Sequence, residues 1–355
     1  MRLFLHRATI AACLLCVLFA NAQLKLAPLP APLSLNAVTG YRTHSEFLVF
    51  SFMGIGAKKQ PDDVTANGYV LDLNGNDWSA LKPVPGITGR ISALAASVKS
   101  DVYVIGGYVV DSQNRGFAVT DVSRFQLHAN RWLRAPDMLM PVGDAVIGTY
   151  DDRYIYVIGG RTNTGPVSDV QVYDAEKEKW SKATPLPGDG VFGHAGALVD
   201  DTIILIGGAV KNSAATGQRY VLSSQGWMGR INHKDHTKIQ WTRLPDHPGS
   251  ANFRLAAGGS EKDHMVYFAG GADAMYDLKG IGADGKPVEP SPYLFSFDLR
   301  TGKWDTISDK LASPVMDQST LVVTTEGLVV VGGMTKGQEV TPQVTVLPKI
   351  THPAK

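Results

Sequence analysis

The chain is a repeat. Glycine pairs stand at Gly106-Gly107, Gly159-Gly160, Gly207-Gly208, Gly270-Gly271 and Gly332-Gly333, with a looser version, Gly54-Ile55-Gly56, ahead of them. Trp78, Trp132, Trp180, Trp241 and Trp304 recur in step, separated by 54, 48, 61 and 63 residues. Between these marks the sequence alternates with a period of two, as in Val102-Tyr103-Val104-Ile105 and Tyr154-Ile155-Tyr156-Val157-Ile158, which is the pattern of short strands. No long stretch carries a helical period with caps at its ends. A unit near 50 residues made of strands restricts the chain to an array of one small sheet repeated.

Each unit reads as a four-stranded antiparallel meander, its strands labelled a to d. The glycine pair closes strand b, where the backbone must turn tightly and lie against the neighbouring unit. Strand c carries an aromatic residue followed by aspartate, as in Tyr173-Asp174 and Phe297-Asp298. Strand d carries the tryptophan, a ring large enough to fill the wedge between sheets. In these units the chain resembles the kelch-repeat family. The resemblance implies an all-β, six-bladed kelch-type β-propeller over residues 23–350, with a short tail at 351–355.

The sixth unit is incomplete. Gln343-Val344-Thr345-Val346-Leu347 follows Gly332-Gly333 as a c-like strand, but no tryptophan comes after it. The N-terminus holds a match: Leu24-Lys25-Leu26-Ala27-Pro28-Leu29-Pro30 resembles Trp78-Ser79-Ala80-Leu81-Lys82-Pro83-Val84-Pro85 at the end of a strand d. We therefore expect the N-terminal strand to pair beside Val344–Leu347 and close the last blade, removing two sheet edges open to aggregation.

The formal net charge is +1, from 34 basic and 33 acidic side chains. Nucleic acid or an anionic membrane surface would call for a basic stripe, so a small neutral or acidic molecule is the expected partner. Residues 1–22 read as a signal peptide: a basic start through Arg7, an uncharged apolar run from Ala8 to Phe19, and Ala20-Asn21-Ala22 for cleavage before Gln23. The apolar run is short for a membrane anchor, and a lipoprotein box at Ile10-Ala11-Ala12-Cys13 would leave almost none of it ahead of the cysteine. The mature protein is thus expected in the periplasm or secreted. Cys13 and Cys16 both fall in the leader, so the mature chain would have no disulfide, thiolate metal site or cysteine nucleophile.

In an a-b-c-d meander the d–a and b–c loops emerge on one face. The d–a loops bring Arg90, Asp144, His194, Arg254 and Asp317 to the mouth of the channel. The b–c loops bring Asp111, Arg161, Arg219, Asp273, Asp277 and Glu339. Arg90 and Arg254 each precede their glycine pair by 16 positions, which makes them equivalent in two blades. The arginines suit a carboxylate ligand and equally suit pairing with Asp144 and Asp317. His194, between glycines, fits a structural hydrogen bond or a proton transfer. His233-Lys234-Asp235-His236 reads as a solvated loop.

Among kelch propellers the galactose oxidase family uses copper with a cysteine cross-linked to tyrosine, and a mature chain without cysteine cannot build that centre. The bacterial sialic acid mutarotase (N-acetylneuraminate epimerase) family is similar beyond the repeat. Its features are matched by Gly54-Ile55-Gly56, by Arg90, by Gly217-Gln218-Arg219 ending the long blade-four loop, and by Phe268-Ala269-Gly270-Gly271-Ala272. The resemblance implies an exported mutarotase or epimerase, without metal or cofactor, acting on sialic acid or a related carboxylated sugar. Arg90, Arg219 and Arg254 are then the substrate-binding candidates, and Asp144, His194 and Asp273 the catalytic ones. One feature departs: the family's glutamate after the blade-four glycines is here Ala209. The alternative function is a non-catalytic propeller that binds glycan or protein in the cell envelope. A carboxylate within reach of Arg219 would favour the enzyme; a mouth filled by arginine–aspartate pairs would favour the binder.

Overall fold

A computed structural model describes residues 25–86, 88–214, 217–249 and 253–350. The expected leader and the tail at 351–355 lie outside the described residues. The chain forms a six-bladed all-β propeller. In blade one, Ala37–Arg42, Phe47–Phe52, Gly68–Asp72 and Asp77–Leu81 pair antiparallel in chain order. Blades two to five repeat that meander, and blade six has three strands, Val322–Val323, Leu328–Val331 and Val344–Leu347. Blades two and four carry an extra hairpin between strands b and c, Tyr108–Val110 with Gly116–Ala118 and Ala209–Lys211 with Tyr220–Leu222.

Strand b is covered on both faces by neighbouring blades, so it reads as an unbroken apolar run; Tyr154–Ile158 is buried at every position. The core is correspondingly divided. Six buried clusters occupy the six seams between adjacent blades. The Gly-Gly rule has a steric cause at each seam. The second glycine donates its N–H to a carbonyl of the next blade: Gly107 to Val142 at 2.9 Å, Gly160 to Val191 at 2.8 Å, Gly271 to Val315 at 3.0 Å and Gly333 to Leu33 at 2.8 Å. A Cβ on Gly270 would meet that same Val315 carbonyl oxygen at 2.0 Å, and φ there is 67°. In blade one the structural pair is Met53-Gly54, one residue before the Gly54-Ile55-Gly56 expected from sequence. Gly54 donates to the Arg90 carbonyl at 3.0 Å, and Met53 takes the strained first place at φ 59°.

On the outside, tryptophan performs the converse link. Each indole N–H reaches back to a carbonyl just beyond strand d of the preceding blade: Trp132 to Lys82 at 2.9 Å, Trp180 to Pro136 at 2.8 Å, Trp241 to Thr184 at 3.3 Å and Trp304 to Pro245 at 3.1 Å. Trp78 makes the same bond to Ala27 at 2.9 Å. Ala27 thus occupies the place that Lys82 holds in blade one, and the N-terminal segment completes blade six. Among the described residues, 25–30 run beside blade six without a continuous ladder. Among the described residues its backbone bond to blade six is Leu29 N–H to Pro342 O at 2.7 Å, the counterpart of Val84 to Ala66 at 2.8 Å. Asn76 clamps the segment from blade one, accepting from Ala27 N–H at 2.7 Å and donating to Lys25 O at 3.1 Å. Leu26 and Leu29 sink into the seam with Val322, Val329 and Val346. Pro28 and Pro30 stand where Pro83 and Pro85 stand in blade one, just past the ladder of strand d.

Because Leu29 is buried in the closing seam, Leu29→Ala should destabilise the protein by about 2–5 kcal/mol. Urea unfolding measures this. A midpoint unchanged from wild type would mean that the segment is dispensable.

Candidate functional site

Two stacked rings, one residue per blade each, build the mouth of the channel. Just past each d–a turn one residue makes an isolated bridge to the residue after the glycine pair: Ser34 to Ile55, Ile91 to Tyr108, Gly143 to Arg161, Phe192 to Ala209, Phe253 to Ala272 and Met316 to Met334. The next residue turns into left-handed backbone in every blade: Leu35, Ser92, Asp144, Gly193, Arg254 and Asp317, with φ between 49° and 65°. For a non-glycine residue that conformation costs roughly 1–2 kcal/mol, and such strain concentrates where function needs it. Backbone bonds pass from one to the next: Ser92 N–H to Leu35 O at 2.9 Å, Gly193 to Asp144 at 2.8 Å, Arg254 to Gly193 at 2.7 Å and Leu35 to Asp317 at 3.2 Å.

This register corrects the expected equivalence of Arg90 and Arg254. Arg254 aligns with Ser92, because the turn between strands a and b is two residues longer in blade five (between Ser260 and Met265) than in blade two (between Val98 and Asp101). Counting back from the glycines therefore lands two places off. Arg90 is 4% exposed, lies at the seam of blades one and two, and lines neither throat nor bowl. Burial pulls its pKa down against the opposing charge of Asp121.

Arg254 is the hub of the left-handed ring. Its Nε and Nη2 donate to the two Asp144 oxygens, both at 3.1 Å, and its Nη1 donates to Asp317 Oδ1 at 2.9 Å. Asp317 also accepts from Tyr276 Oη at 2.9 Å and Ser34 Oγ at 3.1 Å. The side chains of Arg254, Asp144 and Asp317 are 13%, 5% and 1% exposed. Burial alone would raise the Asp144 pKa, but the charge and hydrogen bonds of Arg254, helped by Arg161, hold it below the usual carboxylate range. Both carboxylates are thus committed to one guanidinium.

Above the ring lies a bowl of about 690 Å³. Its wall is an aromatic arc: Phe192 packs edge-on against Tyr220 (5.2 Å) and Phe253 (5.9 Å), and Phe253 against Tyr276 (5.6 Å). The Arg161 guanidinium sits over the Tyr108 ring at 5.2 Å and the Phe192 ring at 5.4 Å. Asp144 and Arg254 show at the floor beside it, and Lys59 and Asp277 stand at the rim. Among the described residues Arg161 has no carboxylate within salt-bridge distance, so it is the arginine of the bowl left without an acid partner.

Of the expected site residues, the structure brings Asp144 and Arg254 together and separates the rest. Arg219 is exposed at the edge, over its neighbour Tyr220 at 5.3 Å and 3.4 Å from the Thr164 carbonyl. Asp273 is exposed and lines no part of the bowl. His194 lies beneath the ring, 5% exposed and lining the throat; desolvation lowers its pKa to about 4, so it is neutral at pH 7. Ala209, where the resemblance places an acid, is fully buried. Arg161 occupies the equivalent place in blade three, one blade away. The sequence put it at the mouth by its position after Gly160, but nothing in the repeat marked it as the unpaired arginine. On the opposite face, His233 bonds Tyr150 Oη (2.9 Å) and Asp201 (3.0 Å).

Residues 44–271 match the family described as the KLHDC2/KLHL20/DRC7 Kelch-repeats domain. Kelch-like protein 15 of Gallus gallus is 28% identical over 120 residues, covering 34% of this chain and 24% of that protein. A putative F-box/kelch-repeat protein of Arabidopsis thaliana, At3g46050, is 32% identical over 105 residues, 30% of this chain and 26% of that one. The chain spans about a quarter of the length of these relatives. The solved structure of YjhT superposes with a TM-score of 0.71 at 19% identity, over 91% of this chain and 97% of that one.

Arg254→Met strands two buried carboxylates and should cost about 3–5 kcal/mol in urea unfolding; a loss under 1 kcal/mol would mean solvent already screens the cluster. His194 gives the second test. Its folded pKa of about 4 lies below the ordinary 6.5, so between those values the unfolded chain binds a proton that the folded one does not. Stability is full above pH 6.5 and falls toward pH 4, by on the order of 3 kcal/mol from this group. In His194→Gln that part of the slope should vanish. An identical pH profile in the variant would overturn the assignment.

Proposed function

The chain belongs to the kelch-repeat family, and on that scaffold we propose that the bowl binds a carboxylated sugar with Arg161 as the anchor of its acid group. The observation that carries this reading is the unpaired Arg161 guanidinium held between Tyr108 and Phe192 at the floor of an aromatic bowl. A guanidinium offers two parallel donors to a carboxylate, and the rings fix the plane of the fork. Asp144, ionised and within the same floor, takes hydroxyl donors from the ligand. The partly exposed ring of Tyr220 suits the C–H face of a sugar ring. The ligand class is therefore an acid with neighbouring hydroxyls and an apolar face, met in the periplasm or outside the cell.

Binding stands ahead of catalysis because of how the mouth is charged. Arg254 is consumed by Asp144 and Asp317, Arg219 faces a carbonyl, and Ala209 supplies no acid. Anomer exchange needs one group to take the proton of the anomeric hydroxyl and another to protonate the ring oxygen. Asp144, with its lowered pKa, is a weak base for the first step, and its oxygens already accept from Arg254. The mutarotase reading is favoured by the family resemblance in the blade-four and blade-five motifs and is kept as the second one.

Calorimetric titration with sialic acid and uronic acids distinguishes the two from neither. Arg161→Ala should weaken the acid by about tenfold to a hundredfold, equivalent to about 1.5–3 kcal/mol, and leave the neutral sugar alcohol unaffected. Equal affinity in wild type and Arg161→Ala would sink the site. Decay of the α-anomer followed by NMR tests the enzyme: acceleration by catalytic amounts of protein supports the mutarotase, and binding without acceleration supports the binder.

A further inference from the structure

The b–c loop of blade five, residues 273–290, is long and folded back on itself. Tyr276 bridges Gly282, and Ile281 bridges Pro287. Asp277 Oδ1 accepts from the N–H groups of Lys279 at 2.8 Å and Ile281 at 3.0 Å, closing a turn between them. Ordered loops of this length are uncommon in a compact domain and usually carry function.

The loop leaves its own blade. Tyr276 Oη donates to Asp317 of blade six at 2.9 Å. Gln338, also of blade six, donates from Nε2 to Val288 O at 3.0 Å and to Glu289 Oε1 at 3.1 Å. Leu278 packs against the cluster that holds Leu35 and Ile55 of blade one and Ile91 and Tyr108 of blade two. Lys59 of blade one ties these spans together, its ammonium donating to Gln338 O at 2.7 Å and Lys279 O at 3.3 Å. The segment is thus a strap laid over blade six and onto blade one. Among the described residues, none of those lining the bowl comes from blade six and only Lys59 from blade one, so the strap forms the wall there.

Blade three, which supplies Arg161, stands across a six-bladed ring from blade six. An acid held by Arg161 therefore turns its other side toward the strap. Met275, Leu278 and Ile281 face the bowl on that side, each half-buried. The nearby Lys59 ammonium and Asp277 Oδ1 are engaged with backbone groups. A hydroxyl brought against the three apolar side chains would lose water without gaining a partner. An apolar group would gain about fourfold in affinity for each methylene buried.

We propose that the strap is the specificity-determining wall of the bowl and selects acids that carry an alkyl or aryl group, as in a glycoside with an apolar aglycone. The inference rests on Arg161 as the anchor of the carboxylate. The test is calorimetric titration of the full chain with glucuronic acid and with its phenyl glycoside, which share that carboxylate. Wild type should bind the phenyl glycoside about tenfold more tightly or better. Ile281→Thr keeps the branched shape and sets a hydroxyl in the wall, so it should pull the ratio of the two affinities toward one. Ile281 belongs to neither of the clusters on which Met275 and Leu278 rest, which spares the fold. A ratio near one in wild type, or a ratio unchanged in Ile281→Thr, would overturn the proposal. In that event weaker binding of glucuronic acid by Arg161→Ala would leave the anchor standing. No affinity for either acid would remove the anchor and the strap's role together.

Discussion

The structure depends on a contact between backbones, seen at five of the seams among the described residues, where the N–H after a strand b meets a carbonyl of the next blade. For that approach the residue before the donor must have φ near 60° and no bulk, which glycine supplies five times and Met53 once under strain. The bond fixes the height and rotation of each blade relative to its neighbour. Everything at the mouth follows from that alignment. With the blades in register, the residue after each glycine pair and the left-handed residue opposite fall into rings, and six unrelated side chains share one opening.

The charge at that opening is arranged across three blades. Asp144 comes from blade three, Arg254 from five and Asp317 from six. Two carboxylates on one guanidinium would leave the cluster with an excess negative charge, and Arg161 from blade three offsets it without touching either acid closely enough to be consumed. An acid ligand can use that cation at little cost in broken pairs. The same arrangement explains why proton transfer is poorly served. A base must titrate near the working pH, and the low pKa of Asp144 and the depressed pKa of His194 move both away from it.

What was legible in the sequence is what one residue type alone can do. Glycine pairs mark the tight seam, tryptophan marks the outer link, and together they specify blade number and order. The N-terminal match to Leu81-Lys82-Pro83-Val84-Pro85 correctly located the closing segment. Errors entered where turn length varies. Two extra residues in the blade-five a–b turn misaligned Arg90 with Arg254, and the lone Gly54 shifted the blade-one pair by one. Pairing was invisible for a deeper reason: whether an arginine at the mouth is consumed depends on residues about 60 to 110 positions away, as with Asp317 and Asp144 around Arg254. Repeats report what is common to all blades, and a binding site is what differs between them.

The outer tryptophan links number five for six seams. They bind six to one, one to two, two to three, three to four and four to five. Blade six has no tryptophan with which to grip blade five. That seam is joined instead by the Gly271 N–H bond to Val315, the Arg254–Asp317 pair, the parallel bridge of Ala257 with Thr320 and Lys349 on Asp263 at 3.3 Å. The propeller is therefore a band with a clasp. Residues 25–30 and Val344–Leu347 meet in the sixth blade, and Trp78 and Asn76 of blade one fasten that join.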